Sequence, residues 1–331
     1  MNWPSGIAVA LVAGALAAAP ERPPAVVRTY DVVAHGSTVL LGRTADLAVW
    51  DVSDSDRPVE RHRLTLPAAV RAIALDGDRA LAAAGTHGLY VIDLEGQPGE
   101  PRLLARFDTP GFARDVLVHE GRVLLADDRY GIRVVDVRTN PRSPRQLALV
   151  PTRDEVVALA QDGALVASAE GHAGVRLWRL DAGVAPRETE LVTDVEDARD
   201  VALSAGLLLV AAGREGLVVF RTADDRPPAR LSRIALGEPA EHVAAAHDVA
   251  WVSTGTPLLE RIDLSDPERP ARLEPVRLHR AAPVGRVTAE PGRLLAAVDT
   301  AGLGLVDLSR PDFPAVLLPR ERTLRIVTGP D

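Results

Sequence analysis

The sequence predicts an all-β fold made of seven copies of one four-stranded unit, and three observations predict it. An alternating apolar strand closes on one recurring position, Asp51, Asp93, Asp136, Arg179, Arg221, Asp263 and Asp307, at intervals of 42, 43, 43, 42, 42 and 44 residues. A turn residue, Gly36, Gly77, Gly121, Gly163, Gly206, Asp248 or Gly292, precedes each of these by 15 or 16 positions. Each interval also divides into four short strands separated by turn residues. A period of about 40–45 residues holding four strands is that of a propeller blade. The expected fold is a seven-bladed β-propeller of four-stranded blades with 42–44-residue repeats.

One unit can be followed over residues 114–150. "RDVLV" is a first strand, and "HEG" a tight turn whose glycine can take positive φ. "RVLLA" is the second strand, "DDRYG" a polar loop and "IRVVDV" the third strand. Asn-Pro and Ser-Pro then turn the chain into "RQLALV", the fourth. Second strands such as "RVLLA", "ALVAS", "LLLVAA" and "RLLAAV" are continuously apolar, as strands covered on both faces should be. The outermost strand is more polar, as in "ERHRLTL" at 60–66. The recurring aspartate ends a strand at a proline-containing turn, where its carboxylate can accept backbone N–H groups. Two copies carry Arg179 and Arg221 instead, so the position reads as structural.

A closed ring of blades leaves only short, protected sheet edges at the rim. Closure is expected to join residues 25–34 to "TLRIVTG" at 323–329, either "AVVRTY" (25–30) or the tail adding an outer strand to the terminal blade.

Residues 1–19 read as a signal peptide. The apolar run from 7 to 19 is too short to span a bilayer, and Ala15-Leu16-Ala17 is a small-x-small cleavage pattern. Residues 20–27 form a Pro-rich leader, and 28–331 a single propeller domain. No later stretch approaches 18 uninterrupted apolar residues, so the mature chain is expected not to span a membrane. It is expected to be extracytoplasmic (periplasmic, secreted or cell-surface) and monomeric.

The net charge of −8 argues against nucleic acid as a partner, since such surfaces are normally basic. With no cysteine, disulfides, thiolate metal sites and cysteine nucleophiles are excluded. All 38 basic residues are arginine.

The strand endings "LAVWDVSDSDRP", "GLYVIDLEG", "LERIDLSDPERP" and "GLGLVDLSRPDFP" resemble the LVIVD repeat, an apolar strand ending in Val-Asp-Val/Leu-Ser followed by proline. The resemblance runs from residue 28 to roughly 318, with degenerate copies at 174 and 216. It implies an exported, surface-associated propeller, mostly without an assigned activity, and brings no catalytic residues.

In a propeller, the segments entering the first strand and the loops between the second and third strands share one face around the axis. Entering first strands are Arg71, Arg114, Asp115, Arg199, Asp200, His242 and Arg286. Between second and third strands are His87, Asp127, Asp128, Glu170 and His172. The pattern "ARDV" recurs at 113 and 198, two blades apart. These twelve residues are candidate binding residues of a polar funnel for a protein loop, a glycan or an ion. The competing reading is a solvated face whose charges pair with one another, where such pairs contribute little.

His87, His172 and His242 with Asp115, Asp127 and Asp200 carry ligand-type atoms. No two histidines have a tight ligand spacing, so no metal or cofactor is assigned. There is no G-x-S-x-G elbow, P-loop or G-x-G-x-x-G opening a helix. The expected function is a non-catalytic protein-interaction or scaffold module of the cell envelope, its partner an unidentified protein or surface glycan. The alternative is a hydrolase or lyase with an acidic and histidine site at the axial funnel.

Overall fold

In the computed structural model, residues 26–54, 58–95, 100–180, 183–192, 194–223, 226–308 and 316–318 are described, the last three as backbone. The leader (1–19) and the C-terminal tail (323–329) lie outside them. The chain folds into seven four-stranded antiparallel sheets, each built from four consecutive strands. They span 29–65, 72–107, 115–150, 158–192, 200–234, 242–277 and 284–318, here blades 1 to 7. The first strands of neighbouring blades pack against one another around the whole ring, so they line the axis.

The core is divided as the sequence pattern demands. Among the described residues it forms seven apolar layers, one between each pair of adjacent blades. Second strands such as Arg122–Ala126 are buried after their first residue, while the outer strand Val59–Thr65 alternates exposed and half-buried. Both patterns match expectation.

Closure differs from the expectation for residues 25–30, and the alternative on the tail at 323–329 falls outside the described residues. Tyr30 belongs to the innermost strand of blade 1 (Thr29–His35), and blade 7 takes its outer strand from Val316–Leu318, its own next segment. Blades 7 and 1 are joined by packing instead. Leu295, Ala297, Leu303 and Leu305 meet Val32, Val39, Leu41 and Trp50. Thr288 Oγ1 donates to the Val32 carbonyl at 3.0 Å, and Arg293 to that of Gly36.

The strand-closing aspartates behave as read. Asp51, Asp93 and Asp263 each accept the N–H two residues on, at 2.9, 3.2 and 2.9 Å. Asp136 accepts from both Arg138 and Thr139. A hydrogen bond from Arg61, then that from the Ser53 N–H, hold the Asp51 carboxyl down at about 2.

Two glycine positions carry different constraints. The first-to-second-strand hairpins all have two-residue loops, and the first loop residue can be Gly163 (φ +57), Ala205 (φ +50) or His247 (φ +53). The glycine before the third strand of blades 2, 3 and 5 is stricter. A Cβ on Gly88, Gly131 or Gly216 would lie 2.2, 2.3 or 2.1 Å from the backbone carbonyl of Phe107, Val150 or Ile234, where the outer strand ends. That explains why glycine precedes these third strands.

Thermal or urea denaturation should separate the two cases. Gly163→Ala, with nothing near its Cβ, is expected to cost about 1 kcal/mol for the left-handed backbone. Gly216→Ala is expected to cost about 3 kcal/mol or more, because backbone must move.

Candidate functional site

Equivalent positions near the start of the seven first strands are occupied by Asp31, Ala72, Asp115, Ala158, Asp200, His242 and Arg286. The three aspartates are buried and repeat one contact. Asp31 Oδ2 accepts the Ile73 N–H at 2.7 Å, Asp115 Oδ2 that of Leu159 at 2.8 Å, and Asp200 Oδ2 that of Val243 at 3.1 Å. Each carboxylate therefore ties the first strand of its blade to the first strand of the next. The ties fall between blades 1 and 2, 3 and 4, and 5 and 6, and alanine occupies the ring position in blades 2 and 4.

Arg286 of blade 7 crosses the axis to blade 3. Its Nη1 and Nη2 bind both carboxylate oxygens of Asp115, at 2.6 and 3.1 Å, and its Nε lies 3.9 Å from Asp31 Oδ1. His242 Nδ1 is 3.3 Å from Asp200 Oδ2. The ring thus has two carboxylates on one guanidinium, and a histidine beside the third carboxylate.

These surroundings separate two similar aspartates. Burial pushes the Asp31 carboxyl up to about 6; Arg286 opposes this and the Asp115 charge adds to it. Burial raises Asp200 too, but the His242 hydrogen bond and the Arg286 charge outweigh it and hold Asp200 below the usual range. For Arg286 burial disfavours the charge, and Asp115, Asp31 and Asp200 more than offset it.

The outer tier of the same face consists of the second-to-third-strand loops. Backbone bridges Gly85↔Ala113, Asp128↔Val156, Gly171↔Ala198 and Gly213↔Ala240 bind four of these loops to the lead-in of the following blade. The two sets of segments named from sequence do share a face. Arg114 joins Asp128 at 3.0 Å and Glu155 at 3.4 Å, and Arg199 joins Asp197 at 2.9 Å. Arg71 stacks on Tyr30 and Phe112. His172 is exposed, with Nδ1 2.8 Å from the Glu196 carbonyl oxygen. His87 packs against Tyr90, ring centres 6.4 Å apart.

Asp127 and Glu170 do not open into the funnel. Asp127 is fully buried on Arg133 at 2.6 Å and accepts the Thr109 hydroxyl at 2.7 Å. Glu170 is likewise buried on Arg176 at 2.8 Å. Burial raises its pKa, opposed by the Arg153 N–H and the Arg176 charge. Both pairs have the acid six residues before the arginine on the same hairpin, a spacing visible in "DDRYGIR" and "EGHAGVR".

Of the three histidines considered as ligands, His242 alone joins the aspartate ring. Among the described residues no three His, Asp or Glu side chains are arranged to hold one metal ion. Asp31 was missed by sequence. "YDVV" at 30 is a third copy of the "RDV" pattern, concealed by tyrosine in place of arginine. A cavity of about 660 Å³ lies elsewhere, between blades 4 and 5 near Leu165, Arg179, Gly206 and Thr222, on the hairpin face.

Because Asp31 holds its proton more tightly folded than unfolded, the folded state carries the extra proton between about pH 4 and 6. Stability from this group therefore falls as pH rises through that window. Asp31→Asn is expected to raise the melting temperature at pH 7.5, by the equivalent of about 1–3 kcal/mol. The gain should disappear near pH 4; a constant offset at all pH values would contradict the assignment.

Residues 110–150, which are blade 3 and the segment entering it, match the model of the LVIVD repeat. No curated protein matches the chain. Among solved structures the chain is similar to the computationally designed Ika8 protein, with TM-score 0.61 and 11% identity, covering 85% of this chain and 83% of that one. At that identity the likeness concerns the fold alone. With an LVIVD repeat in blade 3 and seven four-stranded blades in one ring, the chain is consistent with an LVIVD-repeat β-propeller.

Proposed function

We propose that this propeller is exported and acts without catalysis, as a protein-interaction or scaffold module of the cell envelope, with the axial face as its contact surface. One observation carries the reading: the acids and Arg286 of the axial ring are engaged in tying blades together. Asp31, Asp115 and Asp200 each accept a neighbouring blade's N–H, and Arg286 is held by both Asp115 oxygens. Groups so engaged make a rigid platform, and loops carried on a rigid scaffold are where binding residues concentrate. Among the described residues no helix is long and apolar enough to cross a membrane. The N-terminal leader pattern and the LVIVD resemblance both support export.

The second reading, a hydrolase or lyase, is favoured by the His242–Asp200 pair, a histidine hydrogen-bonded to a buried carboxylate.

Export is tested by expressing the full chain with a C-terminal tag and weighing the protein from each cell fraction. It is expected outside the cytoplasm at a mass lacking the N-terminal leader; full-length protein confined to the cytoplasm would overturn the proposal. The two functional readings part on His242→Ala. A binding module keeps its partner on an envelope pull-down. An enzyme loses a measurable turnover at a temperature where the variant is still folded.

A further inference from the structure

Of the four arginines Arg71, Arg114, Arg199 and Arg286 near the first strands, three are held by carboxylates. Arg114 is bound by Asp128 and Glu155, Arg199 by Asp197, and Arg286 by Asp115. The Arg71 guanidinium instead lies 4.1 Å from the centre of the Tyr30 ring and 5.4 Å from that of Phe112. Among the described residues it has no ion-pair or hydrogen-bond partner for its side chain. Stacking fixes a guanidinium plane while leaving its N–H edge free.

The platform draws on three blades. Tyr30 precedes Asp31, whose carboxylate is tied to Ile73 two residues beyond Arg71. Phe112 enters blade 3, and its ring closes on Gly85 of blade 2, where a Cβ would come within 2.9 Å of it. The chain has only three tyrosines and four phenylalanines, and one of each, Tyr30 and Phe112, belongs to this platform. Aromatic residues and arginine are the types enriched where proteins bind one another.

We propose that Tyr30, Arg71 and Phe112 form a carboxylate-binding site whose ligand is an acidic segment of a protein partner. The proposal rests on the axial face being a protein-binding surface. One free planar fork matches one carboxylate in two parallel hydrogen bonds. A doubly charged phosphate fits less well, because Asp128 and Glu155 already answer the neighbouring Arg114.

The test is fluorescence anisotropy of a fluorescein-labelled hexaglutamate peptide with the folded protein at low ionic strength. Wild type is expected to bind it, and Arg71→Gln to weaken binding about tenfold or more with an unchanged melting curve. Arg71→Lys should not restore affinity, because an ammonium cannot stack and fork at once, and Phe112→Leu should weaken it partly. No binding by wild type, equal binding by Arg71→Gln, or displacement by inorganic phosphate at concentrations below those of free glutamate would overturn the site. A photocrosslinker at exposed Arg214, on the same face, distinguishes this from failure of the broader reading. An envelope partner captured equally with and without Arg71 removes the carboxylate site and leaves the axial surface standing. No capture at all, with the peptide unbound, removes both.

Discussion

A four-stranded sheet with two apolar faces cannot bury either face by itself, and this constraint governs the molecule. Each blade covers both faces only by standing between two others, so the arrangement is stable only when the last blade meets the first. The seven apolar layers, one per junction, are the direct expression of that rule. Blades 7 and 1 meet with the same kind of layer as every other pair, so no strand needs to be lent across the gap.

At the axis, the apolar logic gives way. First strands crowd together there, and backbone N–H groups of blades 2, 4 and 6 face back toward the preceding blade. Aspartate at the ring position answers three of these N–H groups, but puts buried negative charges near one another. Isolated buried carboxylates are costly. Arg286 answers two of them, and His242 stands against the third. The charges that look like a funnel lining in sequence are largely a device for fixing blades, which leaves the outer tier of loops as the surface open to a partner.

The fold was legible because its rules are local and repeated. A strand of alternating apolar residues, a two-residue hairpin and an aspartate accepting the next N–H groups are all short-range features. The strand and the hairpin recur in all seven copies and the aspartate in five, so each confirms the others. Closure was less legible. Which segment supplies the final strand depends on how snugly blades 7 and 1 pack, and Leu303 against Val32 leaves no local trace.

The candidate site was legible in part. Asp115, Asp200, His242 and Arg286 were found because a repeat register places equivalent positions at equal depth. Asp31 escaped because its neighbour is tyrosine, although the register alone points to it. Asp127 and Glu170 were misread as lining, since only side-chain packing shows each folded back on an arginine six residues along. The sequence by itself determined the strand count, the turns and the number of blades, because hydrogen bonding and hydrophobic periodicity act over a few residues. Tertiary structure alone decided which charges meet. Arg286 reaches Asp115 across 171 residues of chain, and that pairing exists only once the ring has brought both to the axis.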